Sequence, residues 1–125
     1  MVECWAEPGF HRFWRVWNPL YGFYLHKLYV ALGGRDRPIT SALAVFVFCG
    51  FVLHDLLGLL TTGRFSLSTT FSFVFFGLAA LLNRQVAARL GQDRWHRAAN
   101  VALNLTLIVG LTLAGMLLSH LLLRR

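Results

Sequence analysis

Charge is scarce in this chain, and negative charge scarcest of all. Its 125 residues carry 12 Lys and Arg against 5 Asp and Glu, and charged residues make up only 14% of the whole. Soluble domains average about 25%, so this deficit, beside 57% hydrophobic residues, excludes an ordinary water-soluble fold and points to an integral membrane protein. Cysteine is nearly missing too. Cys4 and Cys49 form no pattern, which excludes a disulfide framework and a zinc site. Residues 1–9 hold Glu3 and Glu7 but no Lys or Arg. The charged and apolar regions of a secretory signal are therefore not expected, and insertion falls to internal spans. The chain also lacks metal-ligand spacing, a nucleophile elbow, a phosphate-binding loop, internal repeats and low-complexity tracts. Its net charge of +7 does not imply nucleic acid, because the basic residues flank apolar runs, where they set topology and meet anionic membrane lipid.

What is present is hydrocarbon in long runs. Three stretches, residues 39–60, 65–82 and 98–123, approach or exceed the roughly 20 residues that a membrane-crossing helix needs. Thr61-Thr62-Gly63-Arg64 separates the first two and is short enough to demand an antiparallel hairpin. Residues 83–97 form a basic connector with Arg84, Arg89, Arg94 and Arg97, and Arg124-Arg125 close the third span. With three spans, 9 of the 12 basic residues share a side with the N-terminus and 3 lie across. The positive-inside rule then places the N-terminus in the cytoplasm, in a bacterial inner membrane by expectation.

Residues 10–32 are not a fourth span, since Arg12, Arg15 and Lys27 interrupt them and Asn18-Pro19 breaks a continuous helix. Phe10, Phe13, Trp14 and Trp17 recur at helical spacing before the break, and Tyr21, Tyr24, Leu25, Leu28 and Leu32 after it. The expected fold is thus all-α, a single membrane domain over 1–125. Two short amphipathic interfacial helices in a cytoplasmic segment, 1–38, precede about three transmembrane helices.

Few polar residues remain to carry chemistry. His54 sits two thirds along the first span, with Gly50 and Gly58 one turn to either side. On an α-helix these three share a face, which leaves room for a ligand or for a closely packed neighbour. Asp55 costs about 2.5–3.5 kcal/mol at such depth and needs a partner. It does not face His54 as its sequence neighbour, so Arg12 or Arg15 is the expected counter-charge. Asn18 is placed to cap a helix starting at Pro19. Asn100 and Asn104, one turn apart, suit hydrogen bonds between helices. His11, His26, His96 and His120 are read as interfacial, without partner spacing.

Phe13-Trp14-Arg15-Val16-Trp17-Asn18, the following Gly33-Gly34, and Phe48-Cys49-Gly50-Phe51-Val52-Leu53-His54 together resemble motifs of the membrane-bound O-acyltransferase superfamily. The likeness is to its bacterial and wax-synthase-like members in particular, and it covers about residues 10–58. The resemblance implies acyl transfer from acyl-CoA or another thioester to a hydroxyl acceptor, with no cofactor. His54 would be the general base and Asn18 would position a reactant or stabilise charge at the thioester carbonyl. Trp14, Trp17, Arg12, Arg15 and Lys27 would bind substrate, the cations meeting the phosphates of CoA. Family enzymes are several times longer, so a homo-oligomer or a larger membrane partner is expected to complete the chamber. Where this chain has Asp55, the wax-synthase-like branch would have Glu and other branches glycine. Two other readings rest on the same residues: a non-catalytic subunit or remnant that docks a larger membrane protein through its aromatic segment, and a proton relay through His54 and Asp55.

Overall fold

In the computed structural model, residues 2–17, 19–91 and 95–123 are described; Asn18, Arg94, Arg124 and Arg125, named above, lie outside them. The described residues are helical throughout, joined by short turns. Helices α1 (Val2–Trp5), α2 (Phe10–Trp17) and α3 (Pro19–Ala31) precede α4 (Pro38–Gly50). A π-helical segment (Phe51–Leu56) and α5 (Leu57–Thr62) continue α4 without a break, and α6 (Ser68–Leu90) and α7 (Arg97–Leu123) follow. Three helices are long and apolar enough to cross a membrane: Pro38–Thr62, Ser68–Ala87 and Arg97–Leu123.

The ends of these helices follow local chemistry. Pro38 opens α4 where a missing N–H costs nothing. Gly63 ends α5 at φ 68° and Gly91 ends α6 at φ 61°, both in the left-handed region that favours glycine. The second span begins at Ser68 rather than Phe65, because Ser66 folds back: its Oγ accepts the Ser68 N–H at 3.1 Å. It also runs on to Leu90, past the expected limit at Leu82. The arginines of the connector end the apolar run but are good helix formers, so they do not end the helix.

α6 lies between α4 and α7 and packs closely on both, through small residues. A Cβ added to Gly50 would fall 2.7 Å from Thr70 Cα, and one added to Gly115 would fall 2.8 Å from Ser72 Cα. Ser72 Oγ donates to Ser68 O at 2.8 Å within its own helix and lies 3.3 Å from Thr112 O across the interface.

The N-terminal helices depart most from expectation. Instead of lying beside the ends of the spans, α2 packs into the bundle. Phe10 and Phe13 are fully buried with Cys4 against Phe76 and Ala80 of α6, and Leu107, Ile108 and Leu111 of α7 pack around them. Phe76 and Ile108 lie near the middles of their apolar stretches, so this aromatic helix forms the core of the molecule. The turn between α1 and α2 then brings non-helical backbone among apolar helices, which is tolerated only when its polar groups are satisfied. Asn104, completely buried, supplies this by donating Nδ2 to Trp5 O at 2.9 Å and to Glu7 O at 3.1 Å.

α3 is apolar on both sides rather than amphipathic. Leu20, Phe23 and Tyr24 are exposed, while Gly22, Leu25 and Tyr29 face inward. The turn into α4 carries Gly33 at φ 77° and is held by Tyr29 Oη donating to Gly34 O (2.6 Å) and Ser41 Oγ donating to Leu32 O (2.8 Å).

Candidate functional site

Between α2, α3, α4 and α6 lies a cavity of about 860 Å³. Its inner wall is aromatic. Trp14 meets Phe46 edge-on at 5.5 Å, Phe73 at 5.8 Å and Phe76 at 5.2 Å. His54, reaching in from the π-helical segment, stacks on Phe73 with ring centroids 5.2 Å apart and planes 30° apart. The indole of Trp14 and the imidazole of His54 thus flank the same phenyl ring.

The wall is also basic. Arg12 and Arg15 line it from α2, His26 from α3 and Arg84 from α6, while His11 Nδ1 lies 3.2 Å from Asn83 Oδ1. Eleven residues separate Phe73 from Arg84 on α6, which is about 16 Å of helix. The cavity is therefore an elongated slot that runs from the imidazole to Arg84 and carries cations on its wall.

Of the residues singled out from the sequence, His54, Trp14, Trp17, Arg12 and Arg15 all line this one cavity. Lys27 does not. It sits outside, with Nζ 4.4 Å from the centre of the Phe23 ring. Asn18 lies outside the described residues. His11, His26 and Arg84 join the site although nothing in their spacing announces it. Only the docking of α2 on α6, and of α3 on α2 and α4, brings them together.

Asp55 has a different setting from the one expected. It is 6% exposed, and its carboxylate is held by the first turn of α6 rather than by an arginine. Oδ1 accepts the Thr69 N–H at 3.2 Å, and Oδ2 accepts the Thr70 N–H at 2.7 Å and the Thr70 hydroxyl at 2.6 Å. The positive end of the helix dipole and these unpaired N–H groups satisfy an anion as well as a side-chain cation would. The glycine stripe needs the same revision. Gly50 is filled by the backbone of α6, Gly58 faces open space, and the π turn breaks the four-residue spacing between Gly50 and His54.

Among the described residues no three His, Cys, Asp or Glu side chains group to hold a metal ion. Comparison of the chain with protein-family models, with curated proteins and with solved structures found no match.

Proposed function

We propose that this protein is a membrane-embedded O-acyltransferase, acting as the resemblance over residues 10–58 implies. The observation that carries the reading is that His54 and the aromatic-basic residues Arg12, Trp14, Arg15 and Trp17, far from it along the chain, meet in a single cavity. His54 would remove the proton from an acceptor hydroxyl as its oxygen attacks a thioester carbonyl; the carbon–oxygen bond forms, and the thiolate leaves and takes up a proton. Imidazole is the side chain suited to such a base near neutral pH.

The slot matches an elongated donor with a charged end. Arg84, about 16 Å along α6 from the ring on which His54 stacks, would hold the phosphates of acyl-CoA, or of another phosphate-bearing thioester, with Arg12 and Arg15 of the same cavity wall. Asn18 would polarise or position a reactant, and the apolar wall would receive the acyl chain. No cofactor enters this scheme. The acceptor is a hydroxyl of a lipid, a glycan or a small alcohol.

The count of basic residues supports a cytoplasmic N-terminus, in what the proposal takes to be a bacterial inner membrane; Arg84, beside the connector assigned to that same side, would then lie toward acyl-CoA. His54 is exposed in the single chain. A second copy, or a larger membrane partner, is the proposed means of closing the chamber.

The test compares membranes carrying the wild-type chain with membranes carrying His54→Gln, given labelled acyl-CoA and a mixed pool of hydroxyl acceptors. Transfer is expected to fall by about 10²–10⁴-fold in the variant. Transfer that survives the substitution removes His54 from the mechanism. No transfer by either chain moves the reading to a non-catalytic subunit that docks a larger protein.

A further inference from the structure

Where the first span passes through its π-helical segment, two consecutive side chains part company: Asp55 is buried against α6, and His54 turns to the cavity. A π turn is a rare geometry, and a single turn of it inside an α-helix recurs at functional sites. Its effect here is a change of register. Gly50 packs on Thr70, Phe73 and Thr69; five positions on, Asp55 meets Thr69 and Thr70, while His54 lies against Phe73. In continuous α geometry the residue four positions on, His54, would follow Gly50 onto Thr69 and Thr70. The additional residue in the turn hands that contact to Asp55 and leaves the imidazole beside Phe73 at the cavity.

The contact that Asp55 makes is a helix cap supplied from outside the helix. Leu67, at the N-cap position of α6, has no side-chain acceptor to offer, and the Asp55 carboxylate takes the N–H groups of the second and third residues in its place. Phe73 follows Thr70 by three residues and so stands on the same side of α6, one turn further in. The first turn of α6 is thereby pinned to the π segment at Asp55, and its next turn carries the ring on which His54 stacks.

We propose that Asp55 is a positioning residue for His54. By capping α6 across the helix interface it holds the π turn that directs the imidazole into the cavity, and it takes no part in proton transfer itself. The assignment rests on the reading of His54 as the base, but its geometric half can be measured without turnover. In the full chain in lipid nanodiscs, stacking on Phe73 shifts the His54 ring protons upfield. The resonance is assigned by its loss in His54→Gln, and the shift by its loss in Phe73→Leu.

Asp55→Ala removes the cap. The upfield shift is expected to vanish and kcat to fall about 10²-fold, the cost of a misplaced catalytic group, while KM for acyl-CoA stays unchanged. Asp55→Asn keeps one amide oxygen, which can take the shorter Thr70 contacts in place of Oδ2 while the longer Thr69 contact is lost, and it is expected to retain the shift and most of the activity. Both readouts unchanged in Asp55→Ala overturns the proposal. So does an Asp55→Asn chain that keeps the shift and loses activity, because Asp55 would then act by its charge or its proton. If Asp55→Ala does not insert, the Asn variant alone carries this comparison. If the wild-type chain transfers no acyl group, the acyltransferase reading falls, and the shift alone decides whether Asp55 positions His54.

Discussion

Arg15 shows how far one side chain's role can be separated from its neighbours'. It stands exposed on the wall of the slot, whereas Lys27, two turns into α3, is spent over Phe23. If the arginines of the wall hold phosphate, Arg15→Ala raises KM for acyl-CoA about tenfold and leaves kcat nearly unchanged, because a hydrogen bond to a charged group is worth about 1.5–3 kcal/mol. Lys27→Ala changes neither, and initial rates over a range of acyl-CoA concentrations test both. At this scale the sequence was informative where a polar or aromatic residue broke a hydrocarbon run: His54, Trp14, Arg15 and Trp17 stood out for that reason. It was silent on His11, His26 and Arg84, which reach the site from three different helices. The partner of Asp55 was equally hidden, because the cap belongs to backbone N–H groups 14 and 15 residues further along.

Helix ends were legible in part: the turn through Gly63 was expected and is found, whereas the second span was expected to stop at Leu82 and α6 runs on to Leu90, where Gly91 ends it. The π segment was not, since His54 and Asp55 mark Phe51–Leu56 as polar without announcing a change of winding, which goes with what Asp55 finds across the interface. Crossing points between helices lie between these extremes. Gly110 and Gly115 look alike in the sequence of α7, yet a Cβ at Gly110 meets nothing within 4 Å and one at Gly115 strikes the backbone of Ser72. Gly115→Leu is therefore expected to destabilise the chain by about 1–3 kcal/mol through overpacking, and Gly110→Leu to be neutral. Detergent-induced unfolding of the two variants, followed by helical circular dichroism, provides the comparison. Equal stability would mean that α6 and α7 do not meet at Ser72.

For the molecule as a whole, three spans could be read from length and hydropathy alone, but the place of α2 could not. Its stripe of Phe10, Phe13 and Trp14 has the spacing of an interfacial helix, and the same spacing serves equally well for a core. What decides is Asn104, whose amide satisfies the carbonyls of the turn before α2. Asn104→Leu should cost about 1–3 kcal/mol by leaving those carbonyls unpaired and should open residues 2–17 to protease in intact nanodiscs; protection equal to wild type would refute this. The same amide also imposes an order on biosynthesis. Trp5 and Glu7 precede Asn104 by 99 and 97 residues. The aromatic helix therefore leaves the ribosome long before α7, and although it can meet α6 earlier, the carbonyls of its preceding turn lack this amide until α7 has been threaded. Two spans thus enter the bilayer while that turn is still without its hydrogen bonds, and α7 latches a helix made almost a hundred residues before it.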